Sequence, residues 1–228
     1  MRIPGLKAAF VRGLPSRRVD VSSGLVKEKS NIWLPLVLML AFAVTRWPGL
    51  LPLNFSAAYA LAFCAGIYFP RRLAWWLPLV TMLATDILMN VLYYHVAPVS
   101  AYMLVNYAAY AAIIGIGRRF SAHDSWIKLA CGGLLGAILF YLVTNTAAWL
   151  QNPTYAKTIA GWIQALTTGV PGFPPTWMFF WKTLLSSGLF TGLFVGTMKL
   201  SEKLEAAEEK EEEPVEEPED TAPEESKA

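Results

Sequence analysis

Apolar residues run along this chain in six long blocks, at about residues 32–46, 55–70, 73–95, 98–117, 126–150 and 176–200, separated by polar or Pro- and Gly-bearing joints. Most blocks approach or exceed the ~20 residues that a helix needs to cross a hydrocarbon core. The pattern predicts an all-α, polytopic membrane protein built as a six-transmembrane-helix bundle. The first two blocks are short and are joined through Trp47, Pro48, Gly49 and Pro52. That turn-rich joint leaves a tilted or re-entrant pair open beside the preferred reading of two crossings.

Charge orients the blocks. Short loops rich in Lys and Arg stay in the cytoplasm. Of the 19 such residues, all but Arg46, Lys157 and Lys182 fall in the first 31 residues, at the second and fourth joints (Arg71, Arg72, Arg118, Arg119, Lys128) or beyond residue 198. Both termini are therefore expected in the cytoplasm of a bacterial plasma (inner) membrane, with the membrane domain spanning 32–200. Residues 1–31 read as a basic arm lying against anionic lipid, and no apolar segment with a cleavage site precedes them, so no removable signal peptide is expected. Residues 201–228 read as an acidic tail, helical at most to about Lys210 and disordered past Pro214, Pro218 and Pro223.

Composition agrees, at 55% hydrophobic and 16% charged residues. Cys64 and Cys131 sit in separate apolar blocks without metal-ligand spacing and are read as packing residues. No cofactor or metal site is expected, and the net charge of +2 carries no nucleic-acid motif with it. The lipid bilayer is the one partner that the pattern demands.

Polar residues inside the blocks carry the chemistry. With a rise of about 1.5 Å per residue, Asp86, Asn90, Asn106, Asn145 and Lys182 all lie roughly 7 to 13 Å below the outer surface. Polar groups at that depth are costly and face a bundle interior, a partner or a wet cavity. Residues four apart share a helix face, which aligns Asp86 with Asn90, Tyr102 with Asn106 and Tyr110, and Tyr141 with Asn145 and Trp149. Amides flanked by rings suit an outward-open pocket for a small organic ligand. Plain interhelical hydrogen bonding and an interfacial aromatic belt are the alternatives. Lys182 either pairs with Asp86 or snorkels beside Trp177 and Trp181.

Between the last two blocks, TIAGWIQALTTG is too apolar for a free loop. A short helix there would bury Ile159, Trp162, Ile163 and Leu166 over the outer mouth, either as a lid or as a fixed interfacial helix. Small residues recur every four positions at Gly188, Gly192 and Gly196, at Gly132 and Gly136, and at Ala58 and Ala62. Such faces let helices approach closely, inside the bundle or against another subunit.

Several strings become recognisable together: NFSAAYALAFCAGIYFPRR (54–72), Thr85 with Asp86, LFYLVTNTAAWL (139–150), YAKTIAGW (155–162) and TLLSSGLFTGLFVG (183–196). Over about residues 33–198 the chain resembles a bacterial family of uncharacterised transport-type proteins. That family is itself similar to the substrate-binding subunits of energy-coupling-factor vitamin transporters. The resemblance implies capture of a vitamin-like nutrient, a membrane coupling subunit with ATPases as partner, and Asn54, Phe55, Ser56, Asp86, Asn145 and Trp149 as characteristic residues.

The sequence thus points to a membrane transport protein rather than an enzyme. An acid-base enzyme using Asp86 and His95 is the rival, with little machinery beside those two residues; a scaffold recruiting partners through the acidic tail is another. No phosphate-binding loop is present, so energy for uptake would come from partner ATPases or a gradient.

Overall fold

A computed structural model of the chain describes residues 33–52 and 54–212; the basic arm 1–31 and the acidic tail past residue 212 lie outside the described residues. Seven α-helices make up the described residues: α1 (Trp33–Thr45), α2 (Ala58–Tyr68), α3 (Arg71–Leu92), α4 (Ala101–Gly117), α5 (Trp126–Gln151), α6 (Ile159–Leu166) and α7 (Thr176–Glu212). The all-α expectation holds. Six membrane-spanning helices do not, because among the described residues only three are long and apolar enough to cross: α3, α5 and Thr176–Ala207 of α7. At 13, 11 and 17 residues, α1, α2 and α4 reach about 20, 17 and 26 Å, short of a core about 30 Å thick.

The shortening has local causes. Pro70 forces Phe69 into an extended conformation (φ −90°, ψ 146°), so α2 stops there and α3 begins anew at Arg71. Pro48, Gly49 and Pro52 keep 46–52 and 54–57 out of helix, and Pro98 delays α4 until Ser100 caps it. At the other end the last helix passes residue 200 without a break and runs to Glu212.

The core is α2. Its residues Ala58–Gly66 are buried on every side, against α3, α4, α5 and α7. Its Ala-rich surface permits this, and Gly66 and Gly117 permit more: a Cβ on either would stand 2.4 Å from the Ile114 carbonyl oxygen or 2.2 Å from that of Phe63. The α2 and α4 backbones touch at this glycine pair. On α5, Gly132 meets the Phe63 ring and Gly136 meets Ile113. The α5–α7 contact instead uses Gly133, which lies under Thr191 and whose carbonyl accepts a 2.9 Å bond from Ser187 Oγ. The α7 glycine stripe takes no part in such an approach, since Gly192 faces open space and Gly188 and Gly196 make ordinary contacts. Likewise Cys64 is a packing residue and Cys131 is exposed.

Outward faces are apolar. Leu185, Leu189 and Leu193 line one face of α7, Trp76, Val80 and Leu83 one side of α3, and Val37, Leu40 and Val44 one side of α1, all exposed. Such stripes are stable against lipid rather than water. The protein is a membrane-associated helical protein.

Candidate functional site

A cavity of about 640 Å³ opens where α1 ends, α2 begins, α3 ends, α4 begins and α7 begins, with the C-terminal half of α5 as one wall. Its buried lining consists of the hydroxyl-bearing Tyr59, Tyr110, Tyr141, Thr144 and Thr183. Exposed Trp47, Tyr93, Tyr94 and Tyr102 form the rim. The basic residues Arg71 and Arg72 open α3, Arg118 and Arg119 follow α4, and Lys128 lies in the first turn of α5. All five stand at the helix ends opposite the cavity.

Rings build the inner wall. Tyr110 and Phe140 stack with centroids 4.9 Å apart, and Tyr59 lies 4.8 Å from Phe140 at 59°. Such clusters are rigid and present flat apolar faces with polar edges. Asn54, in the loop before α2, lines the cavity from a left-handed backbone (φ 62°), a conformation that Asn tolerates better than most residues.

The amides differ in how far they are committed. Asn145 donates from Nδ2 to the Tyr141 carbonyl at 2.8 Å, leaving its oxygen free of that bond. Neither end of the Asn106 amide is bonded to a described residue, and its Oδ1 is buried without a partner. A buried acceptor in that condition costs about 1–3 kcal/mol. Rotation about its terminal bond can turn either edge toward a bound molecule.

Of the residues that the sequence nominates, Asn54, Tyr102, Asn106, Tyr110, Tyr141 and Asn145 line the cavity. Asp86, Asn90, Trp149 and Lys182 do not. Asp86 pairs with Arg46, which itself lines the cavity, and accepts a 2.5 Å hydrogen bond from Tyr107 Oη on its other oxygen. Its partner is therefore Arg46 from the end of α1, not Lys182. The pair is largely withdrawn from solvent, with side-chain exposures of 17% and 20%. Asn90 donates to the Pro98 carbonyl at 3.1 Å and secures the α3–α4 loop. Trp149 donates from Nε1 to the Ala156 carbonyl at 2.8 Å, under Lys157, whose ammonium donates to the Trp149 and Asn152 carbonyls. Lys182 is half-buried and bonds to no described residue.

The α6 residues Trp162, Ile163 and Leu166 also lie off the cavity lining. Trp162 Nε1 donates to Thr146 Oγ1 at 2.9 Å, and the Leu166 carbonyl accepts from Tyr141 Oη at 2.6 Å, fastening α6 to α5. Ile159 and Ile163, expected to be buried, are 77% and 50% exposed. The α6 helix reaches the cavity only through Tyr141. The rim belongs instead to Trp47 and its loop neighbours and to Tyr93, Tyr94 and Tyr102.

Sequence reasoning missed Arg46, Tyr59, Thr144 and Thr183. Tyr59 stands inside the string 54–72, and Arg46 is a lone cation at the outer end of an apolar block, the one sequence signal that marks it.

A family model described as a family of unknown function, DUF6580, matches residues 26–209. The chain belongs to that family. No curated protein and no solved structure matches it.

Proposed function

We propose that this DUF6580 member captures a small organic solute from the non-cytoplasmic side of a bacterial plasma membrane and passes it inward. The observation that carries the proposal is the uncommitted Asn106 amide in a ring-walled cavity of about 640 Å³. That size lies within the usual range for small-molecule sites of about 300–1,000 Å³. Of the three buried side-chain atoms without a partner among the described residues, Tyr68 Oη, Asn106 Oδ1 and Thr191 Oγ1, Asn106 Oδ1 is the one that lines the cavity, and such an unpaired acceptor is what a binding site keeps for its ligand.

Orientation follows from charge. The basic N-terminal ends of the long helices α3 and α5 lie opposite the cavity, and basic ends favour the cytoplasm, which supports an outward mouth. Resemblance to substrate-binding subunits of energy-coupling-factor transporters supports a vitamin-like solute and a coupling subunit with ATPases as the energy source. Movement of α6 as a lid would have to act through the Tyr141–Leu166 bond.

Mass spectrometry of molecules released on denaturing the purified full-length protein tests the reading. The expected result is one organic compound in stoichiometric amount, lost from Asn145→Leu and from Asn106→Leu, and accumulated by vesicles bearing the wild type. Release of lipid alone, with no solute accumulated across a broad nutrient panel, overturns it.

A further inference from the structure

The chemical class of the solute can be narrowed, on the premise that the cavity is a capture site. Arg46 is the one charged side chain lining it, and no carboxylate lines it among the described residues. Its guanidinium engages Asp86 through Nη2 alone; Nε and Nη1 bond to no described residue. A guanidinium is a planar fork of five N–H donors that suits a carboxylate in two-point contact. Asp86 stands outside the lining, with Arg46 on one oxygen and Tyr107 Oη on the other at 2.5 Å. It holds the guanidinium in place and is not itself offered to the ligand.

We propose that the solute is an aromatic or heteroaromatic acid whose carboxylate is anchored by Arg46, with Asp86 as the positioning residue and the Tyr59, Tyr110 and Phe140 rings receiving its flat body. A cationic analogue would meet Arg46 with no lining acid to offset it. A neutral amide would keep the ring contacts and lose the charge-assisted bonds, which are worth about tenfold to a hundredfold in affinity. The Asn106 amide, free at both edges, takes a ring N–H or hydroxyl on the same molecule.

The test uses purified full-length protein and three matched probes, indole-3-acetate, indole-3-acetamide and tryptamine, with p-aminobenzoate and p-aminobenzamide as a second ring. Binding is read by calorimetry. The acids should bind at least tenfold more tightly than their amides, and tryptamine should not bind. Arg46→Gln alone strands Asp86, so the decisive variant is Arg46→Gln with Asp86→Asn, which removes both charges together. It should bring acid and amide to equal affinity while both still bind, a ratio that loss of folding would not produce. Amide or amine binding as tight as acid binding, or an acid preference that survives the double variant, overturns the charge assignment and leaves the capture reading standing. If none of the five probes binds the wild type at millimolar concentration, the aromatic-acid assignment falls, and the capture reading is decided separately by whether an organic compound co-purifies with the protein.

Discussion

Replacing Asn106 by Leu separates a binding residue from a structural one. If the amide joined two helices, its loss would cost stability, about 1 kcal/mol or less for a polar contact between membrane helices. Among the described residues it joins nothing, and its Oδ1 is buried without a partner. Removing such an acceptor relieves about 1–3 kcal/mol, and Leu fills similar space with apolar atoms. For a chain of 228 residues, a change of 1 kcal/mol shifts Tm by about 2–4 °C, so Asn106→Leu should melt about 2–12 °C above the ligand-free wild type in detergent. The same variant should fail to retain the co-purifying solute. A variant that loses ligand while gaining stability marks a residue held at a structural cost for binding. The reasoning is refuted if ligand-free Asn106→Leu melts below the wild type, or if it retains the solute.

Three further outcomes follow from particular contacts. Gly117→Ala places its Cβ 2.2 Å from the Phe63 carbonyl oxygen, so the α2 and α4 backbones must part at a cost of about 1–3 kcal/mol or more. Maleimide labelling of the buried Cys64 should then accelerate, whereas Gly192→Ala, with nothing within 4 Å, should leave labelling and Tm nearly unchanged. Breaking the Arg46–Asp86 pair from one side strands a poorly solvated charge, at up to about 3 kcal/mol. Asp86→Ala should therefore lower Tm more than the Arg46→Ala/Asp86→Ala double variant, and equal or additive losses would show that the charges do not depend on one another. In the loop before α5, the hydrogen bond from Lys128 holds the Asp124 carboxyl below its usual range. Because its folded pKa is lowered, this contact stabilises the protein fully above about pH 4 and is lost as pH falls through the lowered value; a Tm–pH profile of Asp124→Asn should lack that acid-side decline.

Much of the protein was legible in the residue order, for reasons internal to single helices. Hydrophobic content over a block is a sum, so membrane association and helical class needed no tertiary information. Phase within one helix follows from its 3.6-residue turn, which is why Tyr102, Asn106 and Tyr110 share the cavity wall, as do Tyr141 and Asn145. Rotation of one helix against its neighbours is not written in spacing. On α3 the face toward the cavity carries Met89 and Tyr93, while Asp86 and Asn90 turn toward Tyr107 and Pro98.

Span length also needed the fold. The apolar blocks continue through Phe69 and Phe55, but Pro70 and the non-helical stretches 46–52 and 54–57 end the helices there, leaving α1 and α2 at 13 and 11 residues. A four-residue glycine stripe reads alike whether it faces a helix or open space, and only the tertiary contacts put Gly132 and Gly136 inside and Gly192 outside. Charge pairing is the sharpest instance. At the depth of Asp86 the sequence offers Lys182, and the pairing with Arg46 instead was made by where the α1 end comes to rest beside α3 and α4. Composition and period act along the chain and can be read there; partners 40 residues apart in sequence are decided by how the helices pack.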